Sequence, residues 1–362
     1  MIAPENYFDH AATTPLDERV LQEMLPYLKD HWGNANSIHS AGRKAMAAVE
    51  DARESVAELI GADFPEEILF TSGSTEAANW VLAQHENLSI SPFEHSAVRE
   101  PALAAGASIL ANSGYELKSA PEGAGLVAAM TVNNETGALL QSPACLHHAE
   151  IFRDITQQAG KMPVLLDGVD YACLSAHKFY GPKGVGALYA ADGGPLDPLV
   201  RGGEQERGLR GGTLNVAGIV GMGAAAKIAG DEMEASLRHV EELRTIVLQE
   251  LDEVPDHVVN EYRGSQSPYI LSVSFLGVEG EALVVEMDAL GYAISSGAAC
   301  SSRSNEPSHV LSALEISPDW IRGTVRLSFG PNNTRESAAQ LARKLSESLR
   351  NLRRLQKSGE SP

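Results

Sequence analysis

Residues 153–189 read RDITQQAGKMPVLLDGVDYACLSAHKFYGPKGVGALY. The segment holds a short apolar run ending near Leu174, then Lys178, then Gly181, Pro182 and Gly184, then a second apolar run, GVGALYA. Glycine and proline after an apolar strand mark a turn, so Lys178 sits at a strand-to-turn junction beside closely approaching backbone. A lysine there is commonly a solvated turn residue. Its other use is chemical, because a lysine amine loses its proton readily when buried or set among cations.

Outward from this segment, strand and helix patterns alternate. DERVLQEMLPYLKDH and SAGRKAMAAVEDARESVAELIGA carry apolar residues at helical spacing, the second stopping at Gly61. EILFTS predicts a strand, GSTEAANWVLAQ a helix opening on small residues, and SILANS and GLVAAMTV further buried strands. Strands alternating with helices imply a mostly parallel sheet covered on both faces. After Asn215 a long helical run is expected to break once near Gly230. Strands YILSVSF, YAISSG and TVRLSF follow, interleaved with helices near 279–290, 308–314 and 334–352. A chain of 362 residues exceeds what one core usually organises. The expected division is a large domain at 15–235 and a small α+β domain at 236–362 that takes in residues 1–14.

The 28 Lys and Arg against 48 Asp and Glu give a formal net charge of −20, which disfavours sequence-independent attraction to nucleic acid. Arg343, Lys344, Arg350, Arg353, Arg354 and Lys357 reverse that balance at the C-terminal end. They read as a solvated helix face or as a docking face for an acidic partner. Cys145, Cys173 and Cys300 have no CxxC or Cys/His ligand spacing, so neither a disulfide framework nor a metal site is expected. Cys173 reads as packing, and Cys145, despite His147 and His148 nearby, as an ordinary helix residue. No basic leader precedes an apolar core and no apolar run is long enough to span a bilayer; the expected location is cytoplasmic, without membrane. GPKGVG lacks the GxxxxGK[ST] order of a nucleotide-binding P-loop.

Five motifs, GNANSIHSAGR, FTSGSTEAAN, TVNNETG, SAHKFYGPKGVGALY and SSGAACSSRSNEPSHVL, occur in one order. In that register the sequence resembles the pyridoxal-phosphate-dependent cysteine desulfurases, a branch of the class V aminotransferase-like family, from YFDHAATTP to TVRLSFGPNNT. The resemblance implies an α/β fold-type I pyridoxal-phosphate-dependent transferase: a large domain with a mostly parallel mixed sheet between helices, and a smaller α+β C-terminal domain. It implies conversion of L-cysteine to L-alanine, with the sulfur passing through a cysteine persulfide to an acceptor such as an iron-sulfur scaffold or a tRNA-thiolation partner. The other readings are a selenocysteine lyase or another class V lyase or transaminase, and a sulfur-relay component with little activity alone.

The resemblance also distributes roles. Lys178 would hold pyridoxal 5'-phosphate through its amine and move the proton at the substrate Cα. Asp154 would pair with the ring nitrogen and Gln157 with the phenolic oxygen; Asp167, in LLDGVD, is the rival carboxylate. Gly73, Ser74 and Thr75 open a helix that suits a phosphate, with Ser175 and His177 completing the cup and Thr213 lent by a neighbouring subunit in a homodimer. His95 would stack on the ring and shuttle protons, and Asn34, Asn134 and Arg326 would meet the substrate, with Arg326 on its carboxylate and His39 nearby. Cys300, on an extended loop of the long-loop subgroup, would be the nucleophile. Arg303 beside it reads as a pKa-lowering neighbour or as a solvated charge. The segment between Asn134 and Asp154 is shorter than the resemblance leads one to expect.

Overall fold

The computed structural model describes residues 2–141, 149–193, 196–297 and 307–358. Its strands are β1 (Ile68–Thr71), β2 (Leu88–Ile90), β3 (Ser108–Ile109), β4 (Asn112–Ser113), β5 (Glu116–Leu117), β6 (Leu126–Ala128), β7 (Glu150–Asp154), β8 (Tyr171–Ser175), β9 (Gly186–Ala190), β10 (His257–Val259), β11 (Ile270–Phe275), β12 (Ser295–Ser296) and β13 (Thr324–Ser328). Its α-helices are α1 (Glu18–Lys29), α2 (Ser40–Ile60), α3 (Ser74–Leu82), α4 (Ser96–Ala104), α5 (Val216–Leu251), α6 (Gly280–Ala289), α7 (His309–Ala313), α8 (Pro318–Arg322) and α9 (Arg335–Ser358).

A seven-stranded sheet runs in the order β1-β9-β8-β7-β6-β2-β3. The pairs β8–β7, β7–β6, β6–β2 and β2–β3 are parallel, whereas β9 is antiparallel to both of its neighbours. A second sheet, β10-β11-β13-β12, is wholly antiparallel. This is the expected α/β architecture. Strands β8 and β9 are buried along their whole length, as the continuous apolar runs require of strands covered on both faces.

On one side, α2 and the first half of α5 pack on the large sheet through Val49, Val56, Ile60, Ile219 and Met222. Gly223 allows the close approach, since a Cβ there would lie 2.5 Å from the Ala52 Cα. On the other side, Trp80, Val81, Leu82 and Val98 of α3 and α4 cover the sheet. The small sheet has its own core, in which Val240, Leu243 and Val247 of α5 meet Leu271, Val273, Leu327 and Leu345. Burying each such side chain contributes about 1.5–3 kcal/mol relative to exposure.

Helix α5 is continuous over 36 residues, contrary to the break expected near Gly230. A glycine in a helix interior costs only about 1 kcal/mol. Both halves of α5 are seated in hydrophobic cores, so packing outweighs that local preference. Gly61 does end α2 in the left-handed conformation, with φ +73°. Among the elements outside the sequence expectation are β2, β5, β7, β10 and the short α8.

Residues 7–14 form a strap between the two sheets. Tyr7 and Asp9 bridge to Ala293 and Ser328 of the small-sheet side. Thr14 N–H and Oγ1 donate to the His177 carbonyl, and Tyr180 N–H donates to Thr14 Oγ1, on the large-sheet side. Among the described residues no helix is long and apolar enough to cross a membrane.

Candidate active site

Strands β1, β2, β6, β7 and β8 all point the same way, and the loops after their C-terminal ends gather at one edge of the large sheet. Binding crevices of open α/β sheets lie at that edge. Five sequence motifs therefore converge: Gly73–Thr75 after β1, His95 after β2, Asn134 after β6, Asp154 at the last position of β7, and Lys178 just after β8.

Lys178 closes a short 3-10 turn, Ala176–Lys178. Its Nζ donates to the Ala11 and Ala12 carbonyls, both at 2.7 Å. Gln157 Nε2 donates to the same Ala11 carbonyl at 2.9 Å, so the strap carries an acceptor shared by two of the expected site residues. His177 Nδ1 lies 3.1 Å from Thr13 Oγ1. Burial, followed by the charges of Lys178, Lys183 and Lys161, pushes the His177 ring down to about 4.

Asp154 is buried, and its Oδ1 accepts the Thr156 N–H at 2.9 Å. Its rival Asp167 stands exposed in the following turn. The sequence reading found the segment before Asp154 shortened and assigned no strand to the residues leading into it. They are β7, whose pairing with β6 and β8 fixes where the carboxylate emerges.

At the start of α3, Ser74 N–H donates to Ser175 Oγ at 2.8 Å, and Ser74 Oγ lies 2.8 Å from Ser175 Oγ and 2.7 Å from Thr156 Oγ1. Three hydroxyls thus cluster at the positive end of a helix dipole. Beneath them Gly186 passes so close to Gly73 that a Cβ would lie 2.6 Å from the Gly73 Cα. This cradle, with Lys178 and a buried carboxylate beside it, fits a phosphorylated ring carrying an aldehyde. Ser74, Ser175 and Thr156 would hold the phosphate, Asp154 and Gln157 the ring, and Lys178 the aldehyde carbon. Thr156 was not singled out from the sequence; its signal is its place between Asp154 and Gln157. Thr75 is exposed, and its carbonyl accepts from Asn79 Nδ2.

His95 caps α4, its Nδ1 accepting the Ala97 N–H at 3.1 Å. Burial is the largest influence on the ring and lowers its pKa; Asp154 opposes this, and Lys178 and Arg326 add to it. The same field therefore links His95 with three other expected site residues. Arg326, central in β13, donates to the Asn134 carbonyl and to Asp9 Oδ1, each at 2.9 Å. Its Nε is buried and has no hydrogen-bond partner among the described residues.

Not every expected residue joins this cluster. Asn34 is exposed, its Oδ1 accepting the Asn36 N–H, and His39 is exposed as the N-cap of α2. Thr213 is exposed on a separate loop. Cys300, Arg303 and Cys145 with its neighbouring histidines lie outside the described residues. Cys173 is fully buried, and burial raises its thiol pKa well above the ordinary value, which agrees with a packing role. Among the described residues no cluster of His, Cys, Asp and Glu suits a metal ion.

The site also contains residues that sequence reasoning missed. Lys161 is buried with its Nζ 3.0 Å from Gln157 Oε1. Glu135 is buried and accepts from Ser308 Oγ at 2.5 Å. His10 is buried against Tyr180 and Tyr7. His10, Glu135 and Lys161 each stand inside or beside a motif, but nothing in the one-dimensional pattern marks them as buried.

A family model described as "Aminotransferase class-V" matches residues 6–341. The chain belongs to the class V aminotransferase family. Within this pyridoxal-phosphate-dependent family its likeness is to cysteine desulfurases. It is 39% identical to the cysteine desulfurase IscS of Dictyoglomus turgidum, over 92% of this chain and 91% of that one. It is 34% identical to the cysteine desulfurase IscS 1 of Archaeoglobus fulgidus, over 92% and 94%. Among solved structures, one titled NifS-like protein superposes with a TM-score of 0.88 at 34% identity, covering 97% of this chain and all of that one. Another, titled SspA in complex with cysteine, has a TM-score of 0.76 at 30% identity over 91% and 100%.

Proposed function

We propose that this chain is a cysteine desulfurase that takes L-cysteine to L-alanine with pyridoxal phosphate held on Lys178. The observation that carries the reading is that the strand ends of the large sheet bring Lys178, His95 and Asp154 to one edge, with Arg326 of β13 near enough to act on the His95 ring. The likeness to desulfurases over nearly the whole chain supports the choice of substrate.

Bound pyridoxal phosphate supplies an electron sink next to the substrate Cα. Everything else falls to the protein. Arg326 orients the substrate carboxylate, and Asp9 and the Asn134 carbonyl set the plane of its guanidinium. Lys178 would move the proton at Cα through its amine. His95, which burial keeps neutral, takes the proton from the substrate thiol. Asp154 would hold the ring nitrogen, and Ser74, Ser175 and Thr156 the phosphate. Cys300 as a thiolate attacks the substrate sulfur: a new S–S bond forms, the C–S bond breaks, and its electron pair returns to carbon, which is protonated to alanine. The persulfide sulfur then passes to an acceptor protein such as an iron-sulfur scaffold, and the protein works in the cytoplasm.

A homodimer is part of this proposal. Thr213 follows a loop in which Glu206 and Arg207 take left-handed conformations, with φ +46° and +59°. Arg53 grips Glu206, and Arg210 grips Glu76, so the loop is rigidly tied back while Thr213 is presented outward. Trp32 and Ile38 are 80% and 91% exposed on the same chain, apolar surface suited to a second copy.

The test is Cys300→Ala together with Lys178→Ala. Cys300→Ala should lose sulfide release from cysteine while borohydride reduction still attaches the cofactor to the Lys178 peptide. Lys178→Ala should lose that attachment. Undiminished sulfide release by Cys300→Ala would overturn the persulfide role.

A further inference from the structure

Lys161 has no place in the reaction as described, yet it is the most deeply buried amine at the site, with only 3% of its surface exposed. It lies one turn after Gln157, on a segment held by the Ala159 N–H to Ile155 carbonyl bond and the Met162 N–H to Gln158 carbonyl bond. Its Nζ donates to Gln157 Oε1 at 3.0 Å, and Gln157 Nε2 donates to the Ala11 carbonyl at 2.9 Å. Lys178 Nζ reaches the same carbonyl at 2.7 Å. These contacts join two lysines through one amide and one backbone oxygen.

We propose that Lys161 is a positioning residue for the cofactor site, fixing which way round the Gln157 amide sits. An amide side chain is nearly symmetrical in shape, so its oxygen and nitrogen are told apart by their partners. As an ammonium, Lys161 offers only donors and so claims the oxygen; the Ala11 carbonyl offers only an acceptor and so claims the nitrogen. Both ends specify one orientation. It turns the NH2 group toward the strap and Lys178, where its second hydrogen would be offered to a ring oxygen of the bound cofactor. The inference rests on the functional reading above, because it concerns the cofactor that Lys178 is proposed to hold.

The environment explains why an amine is kept at this expense in desolvation. The Tyr269 ring lies 5.9 Å from Nζ and offers its face to a cation. Burial, and then the charges of Lys178 and Arg326, lower the Lys161 pKa to about 7. A methionine of similar length would be the better filler of an apolar hole, so a lysine there is retained for its hydrogen bond.

A double-mutant cycle in pyridoxal-phosphate affinity decides the matter, measured on the cofactor-free protein by fluorescence titration, with thermal melting of the same samples. Lys161→Met should weaken cofactor binding about tenfold, or about 1.4 kcal/mol. Gln157→Ala should weaken it similarly, and the double variant should be no weaker than the worse single one, because the lysine acts through the amide. Lys161→Met should melt no lower than the wild type without cofactor. Unchanged affinity in Lys161→Met, multiplying effects in the double variant, or a lowered cofactor-free melting point would each overturn the inference. A wild-type protein that takes up no pyridoxal phosphate would overturn the functional reading, and this inference with it. Normal wild-type binding that Lys161→Met matches would overturn the inference alone.

Discussion

Arg326 and Asp9 meet at 2.9 Å, and that pair joins β13, a central strand of the small sheet, to the N-terminal strap. The Arg326 side chain is almost wholly buried, so its guanidinium is aimed by its partners rather than by solvent. Truncating it to Arg326→Ala is expected to raise the KM for cysteine about 10- to 100-fold, the range for losing a charge-assisted bond to a carboxylate. Arg326→Lys should recover little, since an ammonium cannot reproduce the planar fork. Asp9→Asn should raise KM less than either. Steady-state kinetics on the three variants checks the order.

The Ser308 hydroxyl has two tasks. It accepts the Leu311 N–H as the N-cap of α7 and donates to the buried Glu135 carboxyl. Ser308→Ala should cost about 1–2 kcal/mol in urea unfolding, from the lost cap and the orphaned carboxyl.

Burial raises the Glu135 pKa to about 7, against opposing help from Ser308 and Arg326. A carboxyl whose folded pKa lies above its unfolded value makes its full contribution at low pH. That contribution is lost as pH rises from the unfolded value of 4.5 through 7. Glu135→Gln, which keeps an acceptor for Ser308, should therefore flatten the stability profile across that window. Unfolding measured at a series of pH values provides the check.

His10 has the opposite sign. Burial first, and then Lys161, pushes its ring down to about 3 from 6.5, so the folded protein resists protonating it. Stability should fall as pH drops from 6.5 toward 3, by up to about 5 kcal/mol from this residue. His10→Gln should remove that share of the acid sensitivity, seen as a smaller loss of melting temperature between neutral and acid pH.

Arg53 and Glu206 form a buried, two-point ion pair, with Nη1 and Nη2 at 2.8 and 2.9 Å from the two carboxylate oxygens. Arg53 also donates to the Ile68 carbonyl, and its guanidinium lies 4.9 Å from the centre of the Phe70 ring. Removing one partner strands the other charge, so Arg53→Ala should cost about 3–5 kcal/mol. Replacing both with apolar residues should recover much of that loss in thermal melting.

Local chemistry made the strand–helix alternation, the stop at Gly61 and the motif order legible in the chain itself. Each depends on residues a few positions apart: apolar runs, a left-handed glycine, small residues opening a helix. The motifs carrying Lys178, His95, Asp154 and Arg326 were readable for the same reason. Tertiary structure alone decided that β7 exists, since its five residues become a strand by being clasped between β6 and β8. It likewise held α5 straight through Gly230 by seating its two halves in different cores. It made Lys161, Glu135 and His10 into site residues, because burial is a property of everything packed around a side chain and leaves no mark in the neighbouring letters. The shared Ala11 carbonyl is the plainest case: an ordinary alanine by sequence, it becomes the acceptor for Lys178 and Gln157 once the strap is drawn between the two sheets.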